Sequence, residues 1–100
     1  MTVWKPVKVE DAGGDVKPVL VPSGEIHASL RPLRGTELLE ARQMEVQRPF
    51  RINTRFRKGL DERCELRWDG RRFKIESVVN PGEFDARLEI LAEERLETTG

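Results

Sequence analysis

The sequence predicts a mainly β domain, a small antiparallel β-barrel or sandwich of about six to seven strands with one short α-helix. Three observations predict it. The 100 residues leave room for one modest core. Apolar and polar residues alternate over most of residues 50–90, which is the period of strands with one buried face. Asp69-Gly70 separates two of these alternating segments, and such a pair between strands is the strongest short-range hairpin signal.

The first third of the chain predicts two strands with a loop between them. Valines alternate over residues 3–9, and the same alternation returns over residues 26–32. The intervening segment is extended, but Pro18 and Pro22 restrict it to a sheet edge or a loop because proline has no amide hydrogen to donate. We therefore expect a mobile loop at about residues 12–24.

One segment changes from the strand period to helix-forming residues. Residues 36–45 are rich in strong helix formers, Thr36 is a favourable N-cap, and Glu37 lies in the first turn, where a carboxylate complements the helix dipole. Pro49 limits the helix to two or three turns. We expect this short helix to cover one open end or side of the barrel.

The second half predicts four strands in a meander. Asp69-Gly70 joins the second strand to the third, and residues 80–82 (Asn-Pro-Gly) form the next turn. The aromatic residues that fall on the core-facing phase of these strands are Phe50, Phe56, Trp68 and Phe73. The strands themselves occupy about residues 50–57, 63–68, 71–79 and 84–90.

Side chains that could carry chemistry are few, and no catalytic, cofactor-binding or metal-binding residue is predicted. Cys64, the single cysteine, excludes a disulfide or a cysteine-based zinc site and falls on a core-facing position. His27, the single histidine, points away from its apolar neighbours and has no nucleophile near it in the sequence. Since the titratable side chains show no convergent set, we expect a non-enzymatic protein with no small-molecule substrate. No apolar run is long enough for a membrane helix, so we expect no membrane partner.

Charge is unevenly distributed along a chain whose formal net charge is zero. Residues 31–74 contain 13 basic and 7 acidic side chains, whereas residues 75–100 contain 2 basic and 7 acidic ones. This division suits copies that dock on one another, a nucleic-acid surface, or an ordinary solvated surface of mixed charge.

An arginine-rich region contributes most of the positive charge. Arg51, Arg55 and Arg57 share one strand face, and Arg67 and Arg71 belong to the following hairpin. If these strands pair, the guanidinium groups form one basic face that would protect an edge, dock an acidic neighbour or bind nucleic acid. Because the aromatic residues fall on the core-facing phase, the pattern argues against base stacking.

The order and spacing of four motifs resemble the tailed-phage head–tail joining proteins, also called head-closure, stopper or head–tail adaptor proteins. His27 stands where that family usually has tryptophan. The resemblance covers about residues 3–95, and we take residues 1–95 as one domain followed by a flexible tail at 96–100. The motifs are IHASLRPLRGTE (26–37), FRINTRFRKGL (50–60), LRWDGRRFKIESVVN (66–80) and LEILAEE (88–94).

The resemblance implies a virion structural protein of a phage or prophage. Its expected place is a ring at the head–tail interface, after a period in the host cytoplasm before assembly. Its expected partners are a portal or adaptor ring protein, a tail-completion or tail protein, further copies of itself, and the packaged double-stranded DNA in the channel. The ring would close the head and help to retain the genome. The alternative is a small-barrel nucleic-acid-binding protein that uses the arginine-rich face.

We hypothesise that the subunit and partner interface has two parts. One is the valine- and proline-rich segment 16–24, which would order on assembly and add a strand to a neighbour. The other is the arginine-rich region. The candidate interface residues are Val16, Pro18, Val19, Leu20, Val21, Pro22, Arg51, Arg55, Arg57, Arg67 and Arg71.

Overall fold

A computed structural model describes residues 1–96 of the chain and confirms a mainly β fold with one α-helix. The predicted tail at 96–100 lies, apart from Leu96, outside the described residues. The elements are β1 (Thr2–Glu10), β2 (Val16–Glu25), β3 (Ala28–Pro32), α1 (Gly35–Gln43), β4 (Pro49–Arg55), β5 (Glu65–Trp68), β6 (Arg71–Val79), a 3-10 turn (Pro81–Glu83) and β7 (Arg87–Arg95).

The seven strands form one antiparallel sheet in the order β2-β1-β5-β6-β7-β4-β3. The sheet is not closed into a barrel, so a sandwich-like fold describes it better. Its two edge strands are nevertheless consecutive, since β2 ends at Glu25 and β3 begins at Ala28. Three residues of chain span at most about 10 Å, whereas the edges of a flat seven-stranded sheet lie about 29 Å apart. The sheet therefore rolls up and encloses a core.

The predicted meander is wrong for one strand. β5, β6 and β7 follow one another in the sheet, with the Asp69-Gly70 turn in the left-handed backbone conformation expected of a tight hairpin. β4 instead pairs with β3 on one side and with β7 on the other. Residues 56–64 separate β4 from β5, and a connection of that length imposes no pairing between the strands that it joins.

The predicted loop over residues 12–24 is also wrong, because Val16–Glu25 forms the long edge strand β2. Pro18 lies opposite Lys8 and Pro22 opposite Trp4, so both prolines occupy the same phase of the ladder. An edge strand accepts proline at positions whose amide would face solvent. The turn itself is confined to residues 11–15, where the Asp11 carboxylate accepts backbone N–H bonds from Gly13 and Asp15.

The core fills the inner side of the rolled sheet. Phe73 packs edge-on against Phe50, with ring centroids 5.7 Å apart. Cys64 is buried as predicted. The core-facing interpretation is wrong for Trp68 and Phe56, which are substantially exposed because both lie at or beyond the ends of their strands. The largest fully buried side chains are Phe73, Ile52, Leu66, Ile75, Ile90 and Val3.

Helix α1 covers the outer side of the sheet. Ala41 of the helix joins Leu33, Val46 and Leu91 of β7 in a second, smaller apolar cluster. The helix begins one residue earlier than predicted, and Arg34 rather than Thr36 occupies the N-cap, without a side-chain capping bond. The helix is therefore held by packing on β7 rather than by its cap.

Candidate functional site

A two-stranded ribbon projects from the sheet and is formed by the outer halves of β1 and β2. β1 pairs with β5 only from Thr2 to Trp4, but it pairs with β2 as far as Glu10. We call residues 5–21 the ribbon; all side chains from 7 to 19 are exposed. The radius of gyration is 14.8 Å, above the value of about 13 Å expected for a compact 100-residue domain, in accord with this projection.

One face of the ribbon carries four valines flanked by Lys5 and Lys17, and we call it the valine face. Val7 lies directly opposite Val19, and Val9 and Val21 share their face because strand side chains alternate with a period of two. Val7, Val9 and Val19 are 40%, 47% and 45% exposed. A ribbon of two strands has no second layer of its own to bury such a face.

The candidate residues of β2 divide between the two ribbon faces. Val19 and Val21 belong to the valine face, whereas Val16, Pro18 and Leu20 lie on the opposite face, and Pro22 lies at its base beside Trp4. The sequence therefore located the exposed segment. The sequence did not indicate that Val7 and Val9 of β1 belong to the same exposed face, because alternating valines are equally typical of a strand with one buried side.

The arginines of β4 and the segment after it are mostly engaged within the chain. Arg51 forms an ion pair with Glu37 of α1 at 3.4 Å. Arg57 donates to the backbone carbonyl oxygens of Ser23 and Glu25, at the end of β2. Among the described residues, Arg55 alone of the five candidate arginines has neither an ion pair nor a side-chain hydrogen bond.

The arginines of the following hairpin are engaged as well. The Nε of Arg67 donates to Glu65 at 2.6 Å, and its guanidinium lies 3.8 Å from the centre of the Trp4 ring. Arg71 donates two bonds to Glu94, at 2.7 and 3.1 Å. Because β7 separates β4 from β6, the structure does not bring the five arginines into one basic groove.

Trp68 marks an opening in the core that the sequence did not indicate. The side chain is 47% exposed and lines a cavity of about 600 Å³ with Phe50, Ile26 and Leu30. Arg71 lies at the same cavity, with its guanidinium 5.8 Å from the Trp68 ring centre. The cavity forms where the rolled sheet brings β3 near the end of β5, a proximity that no local pattern encodes.

The Arg71–Glu94 pair shifts the titration of its own carboxyl group. Hydrogen bonds from the Arg71 guanidinium lower the pKa of Glu94 below its ordinary value of 4.5, and its partial burial opposes that shift. A lowered pKa in the folded state means that ionised Glu94 stabilises the fold above the pKa of the unfolded chain. This contribution disappears as the pH falls through the folded value.

We expect Glu94→Gln to lower the free energy of unfolding by about 1 kcal/mol at pH 7, because charged hydrogen bonds are lost from a partly exposed pair. We also expect the variant to lose less stability than the wild type between pH 5 and pH 3. Urea unfolding at several pH values between 7 and 3 measures both effects. If the variant and the wild type lose the same stability between pH 5 and pH 3, Glu94 does not contribute to that loss.

Groups that could support catalysis do not converge in the described part of the chain. His27 is exposed, and residues 1–96 contain no cluster of three or more His, Cys, Asp or Glu side chains that could hold a metal ion. Within that range no helix is long and apolar enough to cross a membrane. The exposed features with a shape suited to binding are the valine face, the Trp68 cavity and the surface around Arg55.

Comparisons with known proteins give one family and two solved structures with a similar fold. The sequence model of the phage head completion protein family matches residues 1–95. The solution structure of protein SF1141 from Shigella flexneri 2a is similar, with a TM-score of 0.78 and 20% identity over 97% of this chain and 91% of that one. A chain of the virion of a native gene transfer agent particle is similar with a TM-score of 0.57 and 21% identity, over 96% and 93% of the two chains. No curated protein shows a significant match to the sequence.

Proposed function

The chain belongs to the phage head completion protein family, and on that premise we propose that it forms a ring between the portal or adaptor and the tail. The family identifies it as a virion structural protein of a non-enzymatic kind that takes part in phage assembly and head–tail joining. The ring would close the filled head and help to retain the packaged double-stranded DNA. The protein would reach this interface from the host cytoplasm.

The observation that carries the proposal is the projecting ribbon. Val7, Val9 and Val19 of its valine face are substantially exposed, and exposed apolar surface of this kind is typical of protein–protein contact. A projection on one side of a subunit that docks on a different surface of the next copy makes a heterologous contact. Contacts of that type close into rings when the rotation between copies permits.

The prolines of β2 favour docking through side chains over the addition of a strand. Pro18 and Pro22 lie in the same phase of the ladder, and neither can donate a backbone hydrogen bond to an added strand. We propose that the interface comprises Val16, Pro18, Val19, Leu20, Val21 and Pro22 of β2 together with Val7 and Val9 of β1. The partners would be a second copy, the portal or adaptor ring protein, and a tail-completion or tail protein.

The nucleic-acid-binding alternative gains no support from the arginines. Arg51, Arg67 and Arg71 form ion pairs with glutamates, and Arg57 binds backbone carbonyl groups. Phosphate binding would have to break these contacts. Arg55 remains available among the candidates, and one arginine is a weak basis for a sequence-independent DNA surface.

Particles made without the protein test the proposal. When the gene is deleted from the element that encodes it, we expect filled heads without tails, or heads that have lost their DNA, separable from complete particles on a density gradient. Electron microscopy of wild-type particles should place the chain in a collar between head and tail. Complete, infectious particles from the deletion would contradict the proposed function.

A further inference from the structure

Arginines face one another directly across neighbouring strands at four places on the sheet. Like charges in directly opposed positions destabilise a pair of strands, so each place needs a compensating anion. The four pairs are Arg31–Arg51 of β3 and β4, Arg67–Arg72 of β5 and β6, Arg72–Arg95 of β6 and β7, and Arg55–Arg87 of β4 and β7.

Two of these pairs are neutralised by a glutamate that bridges both arginines. Glu37 lies 3.3 Å from Arg31 and 3.4 Å from Arg51. Glu65, which is buried, contacts Arg67 at 2.6 Å and Arg72 at 2.9 Å. In both cases one carboxylate is shared between two guanidinium groups.

The Arg72–Arg95 pair shares Arg72 with the Glu65 bridge, whereas the Arg55–Arg87 pair contains no arginine of either bridge in the described part of the chain. Arg87 forms an ion pair with Glu89 at 3.4 Å, and that pair is largely exposed. Arg55 makes no ion pair among residues 1–96. The ladder of β3 and β4, in which Ala28 lies opposite Thr54, places His27 next to Arg55 on the same face. A row of three basic groups therefore runs from His27, which immediately precedes β3, to Arg55 at the end of β4 and Arg87 at the start of β7, and it lines a shallow depression.

We propose that this basic row binds the carboxylates at the ribbon tip of a second copy of the chain. The tip carries Glu10, Asp11 and Asp15, all exposed and without an ion pair in the described residues. Asp11 uses one carboxylate oxygen to hold the turn and leaves the other open. The incoming carboxylate would bridge Arg55 and Arg87 as Glu37 bridges Arg31 and Arg51 and as Glu65 bridges Arg67 and Arg72.

The tip cannot reach the row of its own chain. Asp15 and His27 stand at the two ends of β2, and ten residues of strand hold those ends about 30 Å apart. Complementary charges that cannot meet within one copy can meet between copies. The contact joins two different surfaces, so it can be repeated round a ring. The inference rests on the self-association in the proposed function and names the side chains that would carry it.

Crosslinking in assembled particles tests the inference directly. Arg55→Lys keeps the charge and provides an amine, which a carbodiimide couples to a carboxylate in contact with it. Particles that contain a mixture of isotopically light and heavy copies should yield Lys–Asp15 or Lys–Glu10 peptides that join the two labels. If the variant is incorporated and no such intermolecular peptide is found, the inference is overturned while the proposed function stands. If the chain is absent from particles, both fail.

Charge reversal provides a second, independent readout. We expect Arg55→Glu to reduce the yield of complete particles about tenfold, as loss of one charge-assisted contact per interface predicts. Combining Arg55→Glu with Asp15→Arg in one chain should restore most of that yield, because the swapped charges again attract. Arg42→Glu, an exposed change on α1 of equal charge, is the matched control and should have no effect.

Binding to DNA would overturn the inference. If the free protein binds a duplex oligonucleotide with a steep salt dependence that Arg55→Glu abolishes, then the row binds phosphate rather than the carboxylates of a neighbour. Failure of the charge-swapped double variant to recover, when both single variants are folded and reduce the yield, would overturn it as well.

Discussion

Replacing Phe73 with alanine is expected to lower the free energy of unfolding by about 3–5 kcal/mol, the range typical of a buried phenylalanine. Phe73 is fully buried at the centre of the inner core and packs edge-on against Phe50. The variant leaves a cavity that neighbouring strands, fixed by hydrogen bonds on both sides of β6, cannot collapse to fill. Urea or guanidinium unfolding of the purified protein measures the loss.

Phe84→Ala is the matched control, since it removes the same atoms from a side chain that is 81% exposed. We expect a change within about 0.5 kcal/mol, as for other exposed substitutions. Equal losses for the two variants would contradict the core described above. If Phe73→Ala does not fold at all, Phe73→Leu should still show a measurable part of the loss.

Placing charges on the valine face is expected to reduce the yield of assembled particles strongly while leaving the fold intact. We choose Val7→Lys together with Val19→Glu, because the two positions are directly opposed and unlike charges preserve attraction between β1 and β2. Val7 and Val19 are 40% and 45% exposed. Burial of that remaining area in an interface is worth roughly 1–3 kcal/mol, so the yield of complete particles should fall by about tenfold to 100-fold. The yield is measured by infectivity and by gradient fractionation, and the fold by thermal unfolding.

Leu39→Lys is the control for this variant, because Leu39 is also an exposed apolar residue but lies on α1. It should assemble normally. Normal yield from the ribbon variant, with the protein present in the particles, would exclude the valine face from the interface. A large drop in thermal stability of the ribbon variant would instead mean that the ribbon contributes to the fold.

The candidate interface shows which features local sequence patterns predict and which they do not. Valine and proline composition marked residues 16–22 as a surface segment, and the structure places them on an edge strand with much exposed surface. The predicted arginine cluster depends on residues that are close in sequence. In the structure, however, Arg51 forms an ion pair with Glu37 and Arg71 forms one with Glu94. The partner carboxylates lie 14 and 23 residues away, and sequence spacing contains no signal for such contacts.

The sequence alone determined six of the seven strands, the Asp69-Gly70 hairpin, the short helix and the buried position of Cys64, because alternation, turn chemistry and helix formers act over a few neighbouring residues. Only the tertiary structure decided that β4 lies beside β7, that Trp68 is exposed, and that β1 and β2 extend beyond the sheet as a ribbon. These features depend on which distant strands meet when the sheet rolls up, and that choice is made by the packing of the whole core.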